Sequence, residues 1–342
     1  MSEIRHDLLS DNYVIIAPER LHRPDHMSWE EATILPKTCP FCEGNEHRTP
    51  KELFAIRENS EPNSTGWKSR VVPNLYRAVQ IEAPKQSAPD GIYSTWEGFG
   101  AHEVVIDTPR HLNHMSDFSV EEFYNWLRTL TSRVVDLHKD GRISYISIFK
   151  NDGASAGGTQ QHPHTQIIAL PTIPKSVIRK MERGYEYYKK TGRAILDDIV
   201  HQELKSKERI VSQNGNFVAF CPYASAYPFE VMIASSKKTF CKLNQIEDDD
   251  LHILAELLND IFKRMSAQLG RFDFNLSFSM PPMQKSFDTA DFHDHLEKIC
   301  GFNIRIMPRI YRHGGFELAT ETMINPVEPE RSAKLMRELS EE

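Results

Sequence analysis

The chain has 342 residues, 39% of them hydrophobic, with 41 basic and 48 acidic side chains and a formal net charge of −7. That length suits two average domains or one large one, and the acidic balance argues against a nucleic-acid backbone binder, which needs a basic face. No apolar run approaches the length of a membrane span, and the opening MSEIRHDLLSD lacks the basic-then-apolar pattern of a secretory leader, so a cytoplasmic protein with no membrane association is expected.

In chain order, a strand from Tyr13 to Ala17 leads into a loop carrying Arg20 and Arg23. Residues 43–68 read as loop with at most a short helix, and Gln86 to Gly100 as a second loop broken by proline and glycine. HEVVIDTP is rich in β-formers. In the following segment Phe123, Trp126, Leu127, Leu130, Val134 and Leu137 recur at helical spacing, behind a capping box of Ser119 and Glu122 and ahead of Gly141. ISYISIFKN and HTQIIALP then read as strands. The order repeats further on: PFEVMIAS, the amphipathic IEDDDLHILAELLNDIFKRMSAQLG, FNLSFSMP and FNIRIMPRI. Strand-helix-strand-strand thus occurs around residues 102–171 and again around 228–309, which predicts a duplicated α+β module with its halves packed face to face. The tail 328–342 reads as an exposed helix whose charges form a solvated face.

Five cysteines, an odd number, do not suggest a disulfide framework. Cys221, Cys241 and Cys300 are scattered and read as buried neutral thiols. Cys39 and Cys42 form a CxxC in a turn-forming context. Two thiolates at that spacing bind one zinc ion if two further ligands join them, and His47, His111, His114, His162 and His164 are the candidates. The competing readings are a redox pair or two incidental cysteines.

NDGASAGGTQQHPHTQ carries the second signal. Gly153, Ala154, Gly157 and Gly158 let backbone N–H groups approach an anion, and Ser155 and Thr159 add hydroxyl donors. The loop is neither GxGxxG nor GK[ST]. Strand alternation then sets His162, His164 and Gln166 on one face. A neutral imidazole can attack phosphorus, with Gln166 and loop amides as donors to the equatorial oxygens. Taken alone, these residues leave a nucleophile and a metal pair equally open.

APERLHRP, CPFC, VVPNLY, HEVVIDTPRH and HPHTQ, in the family's order, resemble the galactose-1-phosphate uridylyltransferase family of the histidine-triad superfamily, and the resemblance runs along nearly the whole chain. The resemblance implies an α+β fold of duplicated histidine-triad-like modules, mainly antiparallel sheet with packed helices. Residues 1–190 would hold the zinc site and nucleophile. Residues 191–342 would form a degenerate half contributing to the sugar-phosphate pocket. It places zinc on Cys39, Cys42, His111 and His162, the nucleophile on His164, and a phosphoryl contact on Gln166. Arg20, Arg23, Asn74, Asn151, Gly157 and Thr159 fall at nucleotide- or phosphate-contacting positions, and Phe316 and Glu317 in the sugar-contacting segment. The implied reaction moves a nucleoside monophosphate, UMP in the uridylyltransferases, from a nucleotide sugar such as UDP-glucose to a hexose 1-phosphate through a covalent nucleotidyl-histidine. A homodimer follows by the same analogy.

The sequence also departs from the family. Gly301 and Asn303 stand where many members have a second His-x-His, so only one metal site is expected. His293 and His295 read as exposed or substrate-side histidines. Met323 replaces a substrate-binding glutamine, Tyr311 a lysine, and Leu75 an aspartate near the ribose. GASAGGTQQHPHTQIIALP and GGFELATETMINPVEPE look closer to a divergent branch that includes an ADP-glucose phosphorylase, for which inorganic phosphate is the acceptor. An ADP- or GDP-sugar phosphorylase is therefore the alternative to the uridylyltransferase. A zinc-stabilised nucleotide binder without transferase chemistry is a third reading, against which the retained His164 and Gln166 argue.

Overall fold

A computed structural model describes residues 2–22, 37–84, 87–112, 114–237, 240–284 and 292–338. Strands β1 (Glu3–His6) and β2 (Tyr13–Ile16) open the chain, followed by β3 (Phe54–Arg57), β4 (Trp67–Pro73), β5 (Ser87–Asp90) and β6 (Tyr93–Trp96). The first repeat is β7 (Ala101–Ile106), α1 (Val120–Leu137), β8 (Tyr145–Asp152) and β9 (His164–Leu170). Helices α2 (Lys175–Thr191) and α3 (Ile195–Ser206) lead to β10 (Ile210–Asn214) and β11 (Phe217–Phe220). The second repeat is β12 (Val231–Ser235), α4 (Asp248–Leu269), β13 (Phe274–Ser279), α5 (Leu296–Ile299) and β14 (Asn303–Pro308). The chain closes with α6 (Gly315–Thr320), β15 (Met323–Asn325) and α7 (Pro329–Glu338).

The repeats are not packed face to face, as the duplication suggested. They join edge to edge in one ten-stranded sheet of order β10-β11-β12-β14-β13-β8-β9-β7-β4-β3. The seam is the antiparallel β8–β13 pair, with Asn151 opposite Asn275 and Phe149 opposite Ser277. Each half would otherwise end in an unpaired strand with a row of open N–H and C=O groups, and the seam satisfies both rows at once. Two-faced alternation does the rest. Ile146, Ile148, Ile167, Leu276, Ile304 and Ile306 turn one way, into a core shared with Trp126 and Leu130 of α1 and Leu254 and Phe262 of α4. The residues between them, including His164, Gln166, Asn151 and Asn275, turn to the other face.

Helix α1 starts as read, with the reciprocal Ser119–Glu122 capping box. Other segments differ from the sequence reading. β3 forms within residues 43–68 and β4 begins there, because Trp67, 2% exposed, anchors the stretch and its indole donates to Glu46 Oε1 at 2.8 Å. The loop expected over 86–100 contains the β5–β6 hairpin, turning at Gly91 (φ 61°). α7 is more than a solvated face: Ala333 and Met336 are fully buried in the main core.

Candidate active site

The turn carrying Cys39 and Cys42 lies against the segment between β7 and α1 and the entry to β9. There the ligand atoms of Cys39, Cys42, His111 and His162 all lie within 4.8 Å of one another. Cys42 Sγ is 3.2 Å from His111 Nδ1 and 3.6 Å from His162 Nδ1. His162 is fully buried, and its Nε2–H donates to the Thr108 carbonyl at 2.8 Å, which turns the Nδ1 lone pair toward the sulfurs. Burial, and next the neighbouring Cys39, push the Cys42 thiol up to about 12, so a dication between the two sulfurs is what would stabilise them as thiolates. Burial also takes His162 down to about 3, the neutral form a metal requires. The donor set is that of a closed Cys2His2 zinc site. His47 is exposed, and His114 is buried elsewhere, 3.2 Å from the Phe272 carbonyl and among Phe262, Phe272 and Phe274.

His164 begins β9, one pleat beyond this cluster. Its Nδ1–H donates to the His162 carbonyl at 2.9 Å. A carbonyl only accepts, so Nδ1 carries the proton and Nε2 keeps its lone pair. Burial, then the Lys150 ammonium, hold this imidazole down to about 4, so it is neutral near pH 7. Lys150 Nζ sits beneath it, 3.0 Å from the His164 carbonyl and 3.0 Å from Asp107 Oδ2, both side chains almost wholly buried. The Phe41 ring, from between the two cysteines, packs on the other side with its centroid 5.4 Å from that of His164.

Gln166, two residues on, shares the face of His164. Its Oε1 is 2.9 Å from His102 Nε2 on β7, and Asn74, just beyond β4, places Nδ2 3.0 Å from the same nitrogen. Asn151 is the penultimate residue of β8 and accepts from Asn275 Nδ2 at 2.8 Å. Asn275 also donates to the Ala156 carbonyl of the glycine loop at 2.9 Å and accepts from Arg309 Nη1 at 3.1 Å. Gly157 adopts φ 82° in that loop, and Thr159 is exposed nearby.

The fold therefore gathers Cys39, Cys42, His111, His162, His164, Gln166, Asn74, Asn151 and Gly157. Arg20 is exposed in the turn after β2; Phe316 and Glu317 lie on α6, where Glu317 accepts from Gly314 N at 2.8 Å. No hydrogen bond among the described residues joins these three to His164, and Arg23 lies outside the described residues. Gly301 and Asn303 lead into β14, so Asn303 and Arg305 take the first and third places there that His164 and Gln166 take on β9. His293 and His295 lie in the turn before α5, His295 stacked on Tyr185. Sequence reasoning missed His102, Lys150, Phe41, Asp273 and Asn275. A histidine and a lysine inside β-rich runs were the available signal for the first two.

Residues 1–174 match the galactose-1-phosphate uridyl transferase N-terminal domain, and residues 180–342 its C-terminal domain. The chain is 32% identical to an ADP-glucose phosphorylase of Arabidopsis thaliana over 99% of its own length and 93% of that protein's. It is 25% identical to the galactose-1-phosphate uridylyltransferase of Kluyveromyces lactis, over 100% and 94% of the two chains. The crystal structure of the Arabidopsis thaliana ADP-glucose phosphorylase with bound ADP-glucose superposes with a TM-score of 0.82 at 30% identity, covering 99% of this chain and 100% of that one. Fold, site and relatives together define an enzyme of the nucleotidyltransferase and phosphorylase class. The chain belongs to the galactose-1-phosphate uridylyltransferase family. No described helix is long and apolar enough to cross a membrane.

Proposed function

We propose that the chain transfers a nucleoside monophosphate through a covalent nucleotidyl-histidine at His164, acting as an ADP-sugar phosphorylase. The observation that carries the chemistry is the His164 tautomer: Nδ1–H is tied to the His162 carbonyl and Nε2 is left unprotonated, on the sheet face that also carries Gln166. Nε2 attacks the α-phosphorus of the nucleotide sugar. The bond to the bridging oxygen breaks, and sugar 1-phosphate leaves with the electron pair. An oxygen of inorganic phosphate then attacks the same phosphorus. The P–N bond breaks, the imidazole returns to its neutral form, and a nucleoside diphosphate is released. Gln166 and the amides of the glycine loop serve the charged equatorial oxygens, and Asn74 and Asn151 the nucleotide. Cys39, Cys42, His111 and His162 would hold a zinc ion whose part is structural, fixing the backbone that leads into His164.

The adenine base and the phosphate acceptor rest on the similarity to the phosphorylase, 32% against 25% for the Kluyveromyces lactis uridylyltransferase, and on Leu75, Tyr311 and Met323. The second reading, UMP transfer from UDP-glucose to a hexose 1-phosphate, is favoured by the match of both uridyl transferase domains. Mass spectrometry separates them. The protein is exposed in turn to ADP-glucose, GDP-glucose and UDP-glucose, and the mass added to the His164 peptide identifies the base. Chase with phosphate or hexose 1-phosphate identifies the acceptor. An adduct from ADP-glucose, discharged by phosphate, is expected. Full turnover by His164→Asn would sink the chemistry, and an adduct from UDP-glucose alone would decide for the second reading.

A further inference from the structure

His102 is 8% exposed on β7, and its three polar contacts set the state of its ring. The Ala78 backbone N–H lies 3.1 Å from Nδ1. A backbone amide can only donate, so Nδ1 is the acceptor and the neutral ring must carry its proton on Nε2. That Nε2–H has an acceptor 2.9 Å away in Gln166 Oε1. Asn74 Nδ2 lies 3.0 Å from the same nitrogen, but the Tyr76 backbone N–H already holds Asn74 Oδ1 at 2.8 Å. The contact is therefore one donor beside another, and Gln166 Oε1 is the acceptor for the ring N–H. Both carboxamides have their oxygens engaged and their NH2 groups left for a ligand.

We infer that His102 is a positioning residue for nucleotidyl transfer: it fixes the Gln166 amide so that its N–H groups face the phosphoryl oxygens, beside an Asn74 amide that the Tyr76 backbone N–H already orients as a donor. The inference rests on the His164 reaction proposed above. A free glutamine amide can present either oxygen or nitrogen with little preference, and an oxygen turned toward a phosphoryl group would repel it. The histidine removes that choice before substrate arrives, so no reorganisation is left for the transition state. The tautomer is itself set by the main chain at Ala78, which makes the segment after β4 part of the device.

The test compares His102→Leu, which removes the donor, with His102→Gln, which restores an N–H at the end of a side chain of similar reach. Each is made alone, and His102→Leu is also combined with Gln166→Ala. His102→Leu is expected to lower kcat about 10²-fold, the cost of misplacing a transition-state contact, with little change in KM. His102→Gln is expected to recover most of that loss. In the Gln166→Ala background, His102→Leu should add little, because its effect passes through Gln166. Multiplying effects in the double variant, or a fully active His102→Leu, would overturn the inference. Should His102→Leu fail to fold, nitrogen-15 NMR of the wild-type imidazoles decides: an Nε2–H tautomer for His102 is expected, and an Nδ1–H tautomer would overturn it. Wild-type protein forming no adduct with any nucleotide sugar defeats the His164 reading itself, a result distinct from a normal adduct with an unaffected His102→Leu.

Discussion

The Asp273 carboxylate, in the second half of the chain, accepts a hydrogen bond from the Ser155 backbone N–H at 2.7 Å and so moors the glycine loop of the first half. Asn275, two residues further along, holds the Ala156 carbonyl of the same loop. The half that lacks the paired histidines thus shapes the anion-facing backbone of the half that has them.

Gly153 is where this mooring tolerates no side chain. It has φ 82°, and a Cβ there would lie 1.9 Å from Asp273 Oδ1. Gly153→Ala combines a left-handed backbone with that collision, so a stability loss of about 1–3 kcal/mol is expected, together with slower adduct formation. Urea unfolding and single-turnover labelling of His164 measure the two effects.

Lys150 and Asp107 form a buried ion pair beneath the His164 backbone. Burial pushes Asp107 upward, against the pull of Lys150, and its Oδ1 is buried with no partner. Lys150→Met strands that carboxylate and is expected to cost about 3–5 kcal/mol. The double variant Lys150→Met with Asp107→Asn should recover part of the loss. Denaturant midpoints of the three proteins test this.

Glu122 sets an acid limit. Burial alone would raise its pKa, but hydrogen bonds from Arg110, Thr108 and Ser119 outweigh it and bring the carboxyl down to about 2. A folded pKa below the unfolded one means stability that is present above the unfolded value, near 4.5, and lost as pH falls toward about 2. Chemical unfolding across that range should show the decline. Glu122→Gln should be less stable at neutral pH and should flatten this part of the profile.

Cys42→Ser tests the metal cluster without reference to turnover. Wild-type protein purified without chelators should carry about one zinc per chain, as a single tetrahedral site requires. The variant should carry much less and melt at lower temperature. Equal zinc in both would remove Cys42 from the ligand set.

Much of this arrangement was legible in the chain because it rests on local signals. The Ser119–Glu122 box and the spacing from Phe123 to Leu137 mark α1, and period-two alternation after His164 marks β9. CxxC with HPHTQ brought the four candidate ligands and the imidazole within reach of a resemblance. The seam was not legible, since nothing in Phe149, Asn151, Asn275 or Ser277 announces which strand edge they will meet. β3 and the β5–β6 hairpin were hidden by polar and turn-forming residues, which mask the alternation of short strands that pair with their neighbours in the chain. His102 escaped notice because its importance lies in the direction of one hydrogen bond to Gln166.

The β8–β13 seam also bears on how such a protein can change over time. A duplicated copy without the paired histidines would ordinarily be free to drift or disappear. Here it cannot be discarded, because β13 is the neighbour that β8 needs and Asp273 is the post to which the glycine loop is moored. A substitution in β13 or at Asp273 is therefore felt across the repeat boundary, in the glycine loop beside His164, and the second copy serves as scaffolding for the first.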